Sequence, residues 1–247
     1  MVAFLLAMLW YLAVVSLVCY ALSFFFEAFA NVIYKERLFL KGVVHLLFST
    51  DKKWRRLSDP ATVSKVRSKQ VIFVRHGESA WNVVFNRGFG ASFPGRLLSA
   101  IFDELRVLPT LDSVFADSPL SVLGCRQAQE LQNFVETHPL LRGSEGRSVI
   151  ASSNLRRAVS TGIVGFLPRL KRTQERIHVL SSLQEVTFNI DGLSLAKPQC
   201  PPVLSDDEVH AIGVRRADLH PERLLDSSEN YGDKAVRGKG IARMQGE

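Results

Sequence analysis

The chain has 247 residues, 47% of them hydrophobic, and a formal net charge of +7, which leaves room for one ordinary α/β domain with an appendage but not for two ordinary domains. The charge is local: ten Lys/Arg face three acidic residues between Lys35 and Lys69, whereas from Gln70 onward 21 basic and 20 acidic residues nearly cancel. With no basic stripe and interleaved aromatics in the folded part, no nucleic-acid partner is expected. Cys19, Cys125 and Cys200 form an odd set without metal-type spacing, which suggests neither a disulfide framework nor a zinc site and fits a reducing compartment.

Residues 1–26 contain no charged side chain, and Glu27 is the only one before Lys35. An apolar run of this length exceeds the roughly 20 residues a helix needs to cross a bilayer. A cleaved signal peptide would need a basic n-region and a shorter apolar stretch. Residues 1–34 therefore read as a transmembrane helix. Because the basic residues follow it and none precedes it, the positive-inside rule puts the C-terminal side in the cytosol, as a single-pass protein. Residues 35–69 read as a basic juxtamembrane segment and linker, with Lys52-Lys53-Trp54-Arg55-Arg56 suited to the headgroup region and Ser58-Asp59-Pro60-Ala61-Thr62 as the hinge into the domain.

From residue 70 the pattern alternates. Gln70-Val71-Ile72-Phe73-Val74 reads as a short buried strand. Residues 82–117 are punctuated by Gly88, Gly90, Pro94, Gly95 and Pro109 and read as a loop excursion with a short helix near 97–105. Ser118-Pro119 can open a helix whose face is Leu120, Leu123, Gln127, Leu131, Phe134 and Val135, ended by Pro139. Ser148-Val149-Ile150-Ala151-Ser152 is a second strand; Asn154 then caps a helix that runs to Pro168, and Ile177-His178-Val179-Leu180 is a third strand. This alternation predicts an α/β domain over residues 70–247, with helices on the faces of a sheet. Beyond Pro198 the pattern fades into loops around a helix or two.

The expected strand end at Val74-Arg75-His76-Gly77-Glu78-Ser79 falls where ligands bind in open α/β sheets. A lone histidine there is more often satisfied by backbone, but this one sits beside an arginine and a Gly-Glu turn. An imidazole can attack phosphorus and hold the phosphoryl group, splitting one hard transfer into two easier steps. A guanidinium can clamp the equatorial oxygens.

The run Val74-Arg75-His76-Gly77-Glu78-Ser79-Ala80-Trp81-Asn82 resembles the signature of the histidine phosphatase superfamily, the phosphoglycerate mutase-like proteins. Further matches follow in order: Asp117-Ser118-Pro119-Leu120-Ser121 with Gly124 and Gln127-Ala128, then Ser152-Ser153-Asn154-Leu155-Arg156-Arg157-Ala158, then Leu183-Gln184-Glu185. The resemblance spans residues 70 to about 185 and implies a three-layer α/β/α fold. It implies that His76 accepts the phosphoryl group, that Arg75, Arg157 and Asn82 bind the substrate phosphate, and that Glu185 is the general acid and base. Arg157 rather than Arg156 takes the clamping role because the family motif places its arginine immediately before alanine. No metal or cofactor is implied.

The family carries a second site histidine after a late apolar strand, and none matches here: His178 precedes Glu185, His210 follows an acidic run, and His220 precedes a proline. The domain is accordingly expected to be C-terminally incomplete, or to be an impaired relative that still binds phosphate. Val186-Thr187-Phe188-Asn189-Ile190-Asp191-Gly192 lacks the Tyr and the basic stretch of the sugar-phosphate mutases. The expected activity is therefore hydrolysis of a phosphomonoester at a membrane; the alternatives are a tethered phosphate-binding or interaction module and a mutase-type phosphotransferase. Arg87, Arg96 and Arg106 could bind a second acidic group of the substrate or be solvated.

Overall fold

In the computed structural model, residues 2–48, 70–143, 148–185 and 189–233 are described. The apolar leader forms two helices, α1 (Val2–Leu22) and α2 (Glu27–Phe48). They part at residues 23–26, where the Ser23 hydroxyl donates to Tyr20 O at 2.6 Å and the amides of Phe25 and Phe26 both reach Leu22 O. These bonds satisfy carbonyls that the ending helix leaves open, and Glu27 then enters α2 at its electropositive start. The stretch Phe4–Leu22 is long and apolar enough to cross a membrane, and none of it is buried inside the protein.

The expected boundary at residue 34 falls inside α2, which is folded onto the domain. Leu38 packs with Leu193 and Leu195. Asn31 Nδ2 donates to Pro109 O at 3.1 Å, and Lys35 Nζ donates to Val107 O and Asp112 O. On its other side α2 meets α1, where Ser16 Oγ donates to the Glu36 carboxylate and Arg37 lies over the Tyr20 ring. The Lys52–Arg56 run and the expected hinge at 58–62 lie outside the described residues.

Three parallel strands, β1 (Ala151–Ser153), β2 (Ile177–Leu180) and β3 (Leu225–Asp226), make the sheet in the order β1-β2-β3. The chain is thus a mixed helix and sheet protein with a small parallel sheet. Ile177 and Val179 alternate into the core, while His178 and Leu180 face the half-open side. Three helices, α5 (Val122–Thr137), α6 (Arg156–Thr173) and α7 (Asp206–Ile212), share a core with the sheet, in which Val135, Val159, Ile163, Val164, Ile177 and Val179 are fully buried.

The structure corrects several expectations. Residues 70–74 form no regular element and pair with no strand, and Phe73 is 92% exposed; β-branched and aromatic composition favours a half-buried pleated surface only where a neighbouring strand supplies one. The helix expected from Ser118 starts at Val122, capped by the Ser121 hydroxyl on Gly124 N, because residues 118–121 are taken up by the segment after His76. Its buried stripe runs through Gly124, Cys125, Ala128 and Val135, leaving Leu123 and Phe134 exposed. α3 (Ala80–Phe85) runs into the 82–117 excursion, whose expected short helix near 97–105 is the 15-residue α4 (Phe93–Val107), and a short α8 (Pro221–Leu224) leads into β3; α3 and β3 were not expected. Asn154 does not cap α6; its amide bonds Ser181, Asn230 and Gly232 instead.

Helix α6 also continues through Pro168. Proline has no amide to give the carbonyl four residues earlier, and the buried Val164 O accepts instead from Gln132 Nε2 of α5 at 2.5 Å. Gln132→Ala should therefore lower unfolding stability by about 1–3 kcal/mol, the cost of a buried polar group left without a partner. In a Pro168→Ala background the restored amide meets Val164 O and the penalty should shrink. Denaturant melts of the two single variants and the double variant check this, and strict additivity would contradict it.

Candidate functional site

His76 lies where the chain after residues 70–74 turns onto the start of α5. The turn is fixed by backbone bonds: Gly77 N to Thr161 Oγ1 at 3.1 Å, Glu78 N to Gln127 Oε1 at 2.8 Å, Ser121 N to Glu78 O at 2.8 Å, and Ala80 N to Pro119 O at 2.9 Å. Two glycines permit the approach. A Cβ on Gly77 would stand 2.5 Å from Gly124 O, and one on Gly124 would stand 2.0 Å from Glu78 O. Ser79 then caps α3 by accepting from Asn82 N, which brings Asn82 to the cleft beside His76.

The imidazole has a defined tautomer. Nδ1 lies 2.7 Å from Gly77 O, and a carbonyl only accepts, so Nδ1 carries the proton. Nε2 receives the Nε–H of Arg157 at 3.2 Å, and a guanidinium only donates, so Nε2 holds the lone pair. Burial above all, then the cations of Arg157 and Arg75, hold the His76 pKa below its ordinary 6.5, against the opposing pull of Gly77 O and Glu185. The ring is neutral at pH 7 and its lone-pair nitrogen faces a fixed cation.

Arg157 stands in the first turn of α6 with its side chain 2% exposed. Besides His76 it donates to Asp191 O at 2.7 Å and to Glu185 Oε2 at 2.5 Å. Its neighbour Arg156 points elsewhere, into Asp112, Ser113 O and Asp117 O, and its own amide donates to Asp117 Oδ1. Asp117 also accepts from Leu195 N; burial pushes its carboxyl up to about 6 while Arg156 and these amides pull it down. Arg156 and Asp117 thus clamp the start of α6 to the 190s segment and hold Arg157 in place.

His76, Arg157 and Glu185 are therefore brought together. Arg75 is exposed and lines, with His76, Asn82, Gln127 and Thr161, an open cleft of about 560 Å³ whose far wall is Leu131 and Phe134. Arg157 and Glu185 flank His76 from outside the residues that line this cleft. The three arginines of the 82–117 excursion are engaged within the protein: Arg87 with Glu78, Arg106 with Asp103, and Arg96 with Ser92 and Gly88 O. The sequence did not point to Asp191 as an anchor for Arg157. Thr161 was legible in principle, since it lies one helical turn after Arg157 on α6.

Comparison with known proteins supplies no relative: no family model matches the sequence, and no curated protein or solved structure matches the chain.

Two outcomes follow from this geometry. Titration of the His76 ring by NMR should give a midpoint under 6.5, and Arg157→Met should raise it, because removing a neighbouring cation favours the charged ring; an unchanged midpoint would contradict the contact. Gly124→Ala should lower unfolding stability by about 1–3 kcal/mol or more, since the obstructing atom is backbone. Gly95→Ala, with no atom within 4 Å of the added carbon, should leave the midpoint unchanged or slightly raised.

Proposed function

We propose that this chain is a phosphatase of the histidine phosphatase, phosphoglycerate mutase-like type, hydrolysing a phosphomonoester through a phosphohistidine at His76. The observation that carries the reading is the His76–Arg157 contact: a neutral imidazole whose Nε2 lone pair meets a buried guanidinium that also holds Glu185. In the reaction Nε2 attacks phosphorus, the bond from phosphorus to the ester oxygen breaks, and the Glu185 carboxyl protonates the departing alkoxide. Water then attacks the phosphohistidine, giving its proton to Glu185 as the nitrogen–phosphorus bond breaks and inorganic phosphate leaves. Arg157, Arg75 and Asn82 bind the phosphoryl oxygens, with Arg157 Nε passing from His76 to the incoming anion. The small parallel sheet with helices packed on it fits one part of the three-layer α/β/α arrangement of that superfamily.

A second reading, a tethered phosphate-binding module, is favoured by one observation: among the described residues lining the cleft, His76 is the only imidazole. Release of p-nitrophenol from its phosphate ester separates the two readings. The phosphatase reading expects turnover that His76→Ala abolishes and that Arg157→Lys lowers by roughly 10²–10³-fold, since an ammonium cannot meet His76 and Glu185 at once. Equal turnover in wild type and His76→Ala would sink the enzyme reading, and phosphate binding without turnover would leave the module.

In the same proposal α1 is the single membrane anchor and the domain faces the cytosol, in line with the apolar Phe4–Leu22 stretch and the basic residues that follow it. Protease added to sealed, cytosol-side-out vesicles should digest the domain, whereas protection of the domain would reverse the orientation.

A further inference from the structure

Helix α4 turns a row of large apolar side chains outward. Leu98, Ile101, Phe102 and Leu105 are exposed, at 67%, 41%, 58% and 61%, and Leu108 continues the row. Their spacing of three, one and three places them on a single face. The side turned inward carries Ala100 and the half-buried Phe93, Leu97 and Val107 together with Glu104, which accepts from Ser113 Oγ and from the amides of Val114 and Phe115. A helix with apolar side chains on its packed side and a second row of four large ones left outside has more apolar surface than the protein covers.

Its position suggests what covers it. The residues ending α4 are fastened to α2 by the bonds from Lys35 to Val107 O and from Asn31 to Pro109 O. Asn31 stands five residues beyond Phe26, about 8 Å along a helix. Phe24, Phe25 and Phe26 form an exposed aromatic turn at the foot of the apolar α1, at 71%, 80% and 56% exposure. The C-terminal end of α4 is therefore fastened to α2 a few residues from the exposed foot of the apolar α1. Arg106 lies over the Phe102 ring at 4.5 Å, at the margin of the apolar face, as a snorkelling side chain does at a headgroup boundary.

We infer that α4 is a membrane-binding helix lying in the plane of the bilayer interface, its Leu98–Leu105 face in the acyl boundary, so that the domain is seated on the membrane rather than merely tethered to it. The inference rests on the proposal that α1 is embedded in the same bilayer, and it is independent of the chemistry at His76. α4 is joined to the site through α3: the Phe85 and Phe93 rings are 6.3 Å apart, and Arg96 bonds Gly88 O. Seating α4 thus fixes the orientation of the helix that carries Asn82.

Spin-label depth measurement tests this on the full chain in vesicles of phosphatidylcholine and phosphatidylserine. Cys19 and Cys200 are replaced by alanine, the buried Cys125 is left in place, and single nitroxides are attached in turn at Leu9→Cys, Leu98→Cys, Phe102→Cys, Leu105→Cys and Arg126→Cys. Labels at 98, 102 and 105 should collide with oxygen in preference to an aqueous nickel chelate, as the label at 9 does, whereas the label at 126 on α5 shows the reverse. In a Leu98→Gln, Leu105→Gln background the label at 102 should become nickel-accessible. These are surface positions, and circular dichroism checks that each variant folds. A label at 9 in lipid with those on α4 in water overturns the inference and leaves the anchor intact; a label at 9 in water overturns both. Spin–spin broadening between α4 labels without oxygen preference also overturns it, by showing that a second copy covers the helix.

Discussion

The site depends on one buried guanidinium. A charge with 2% of its side chain exposed is tolerated only where its donors are satisfied, and those of Arg157 reach three separate stretches of chain: His76 after residues 70–74, Glu185 after β2, and the carbonyl of Asp191, whose carboxylate is also 3.7 Å away. The planar fork makes this possible, because a point charge on a flexible stem would not fix three directions at once. Removing it would release the three stretches from one another as well as taking a cation from His76.

Everything around this contact serves its geometry. The close approach of Gly77 to Gly124 lets the histidine turn rest on the first turn of α5, and the Gly77 carbonyl then selects the tautomer by accepting from Nδ1. Arg156 and Asp117 hold the start of α6, so the two adjacent arginines divide the work: one binds the fold, the other faces the imidazole. The burial and the cation that lower the pKa of His76 keep Nε2 unprotonated at neutral pH, as the proposed attack on phosphorus requires.

Much of this was legible in the sequence, but unevenly. That His76, Arg157 and Glu185 lie together was expected from the family resemblance of their motifs rather than from local spacing, which cannot relate residues 28 to 81 positions apart. β2 was legible because Ile177 and Val179 alternate with more polar neighbours. The strand expected at residues 70–74 was not found, because composition marks a segment fit for a sheet without saying whether a partner strand lies beside it. The break between α1 and α2 left no polar signal, since Phe24, Phe25 and Phe26 read as more of the same apolar run. Continuation of α6 past Pro168 could not be read either; it depends on a glutamine 36 residues upstream in a different helix. The outward stripe of α4 obeys helical periodicity, which gives the stripe but not the side on which the protein lies.

The leader and the domain are joined by more than a tether. α2 lies between α1 and the 190s segment, and Leu38 meets the same Leu193 and Leu195 stretch that accepts Arg157 at Asp191 and is pinned to Asp117 at Leu195. The helix that packs on the apolar α1 and the candidate site therefore share a wall. The most direct test of the account is chemical: mix the full-length protein with an excess of aryl phosphate labelled at phosphorus, quench within milliseconds in alkali, and map the label by mass spectrometry. The account predicts an acid-labile, alkali-stable phosphoryl group on His76, released as phosphate on longer incubation. Turnover with no phosphoryl group trapped on His76, or with the label on another residue, would contradict it.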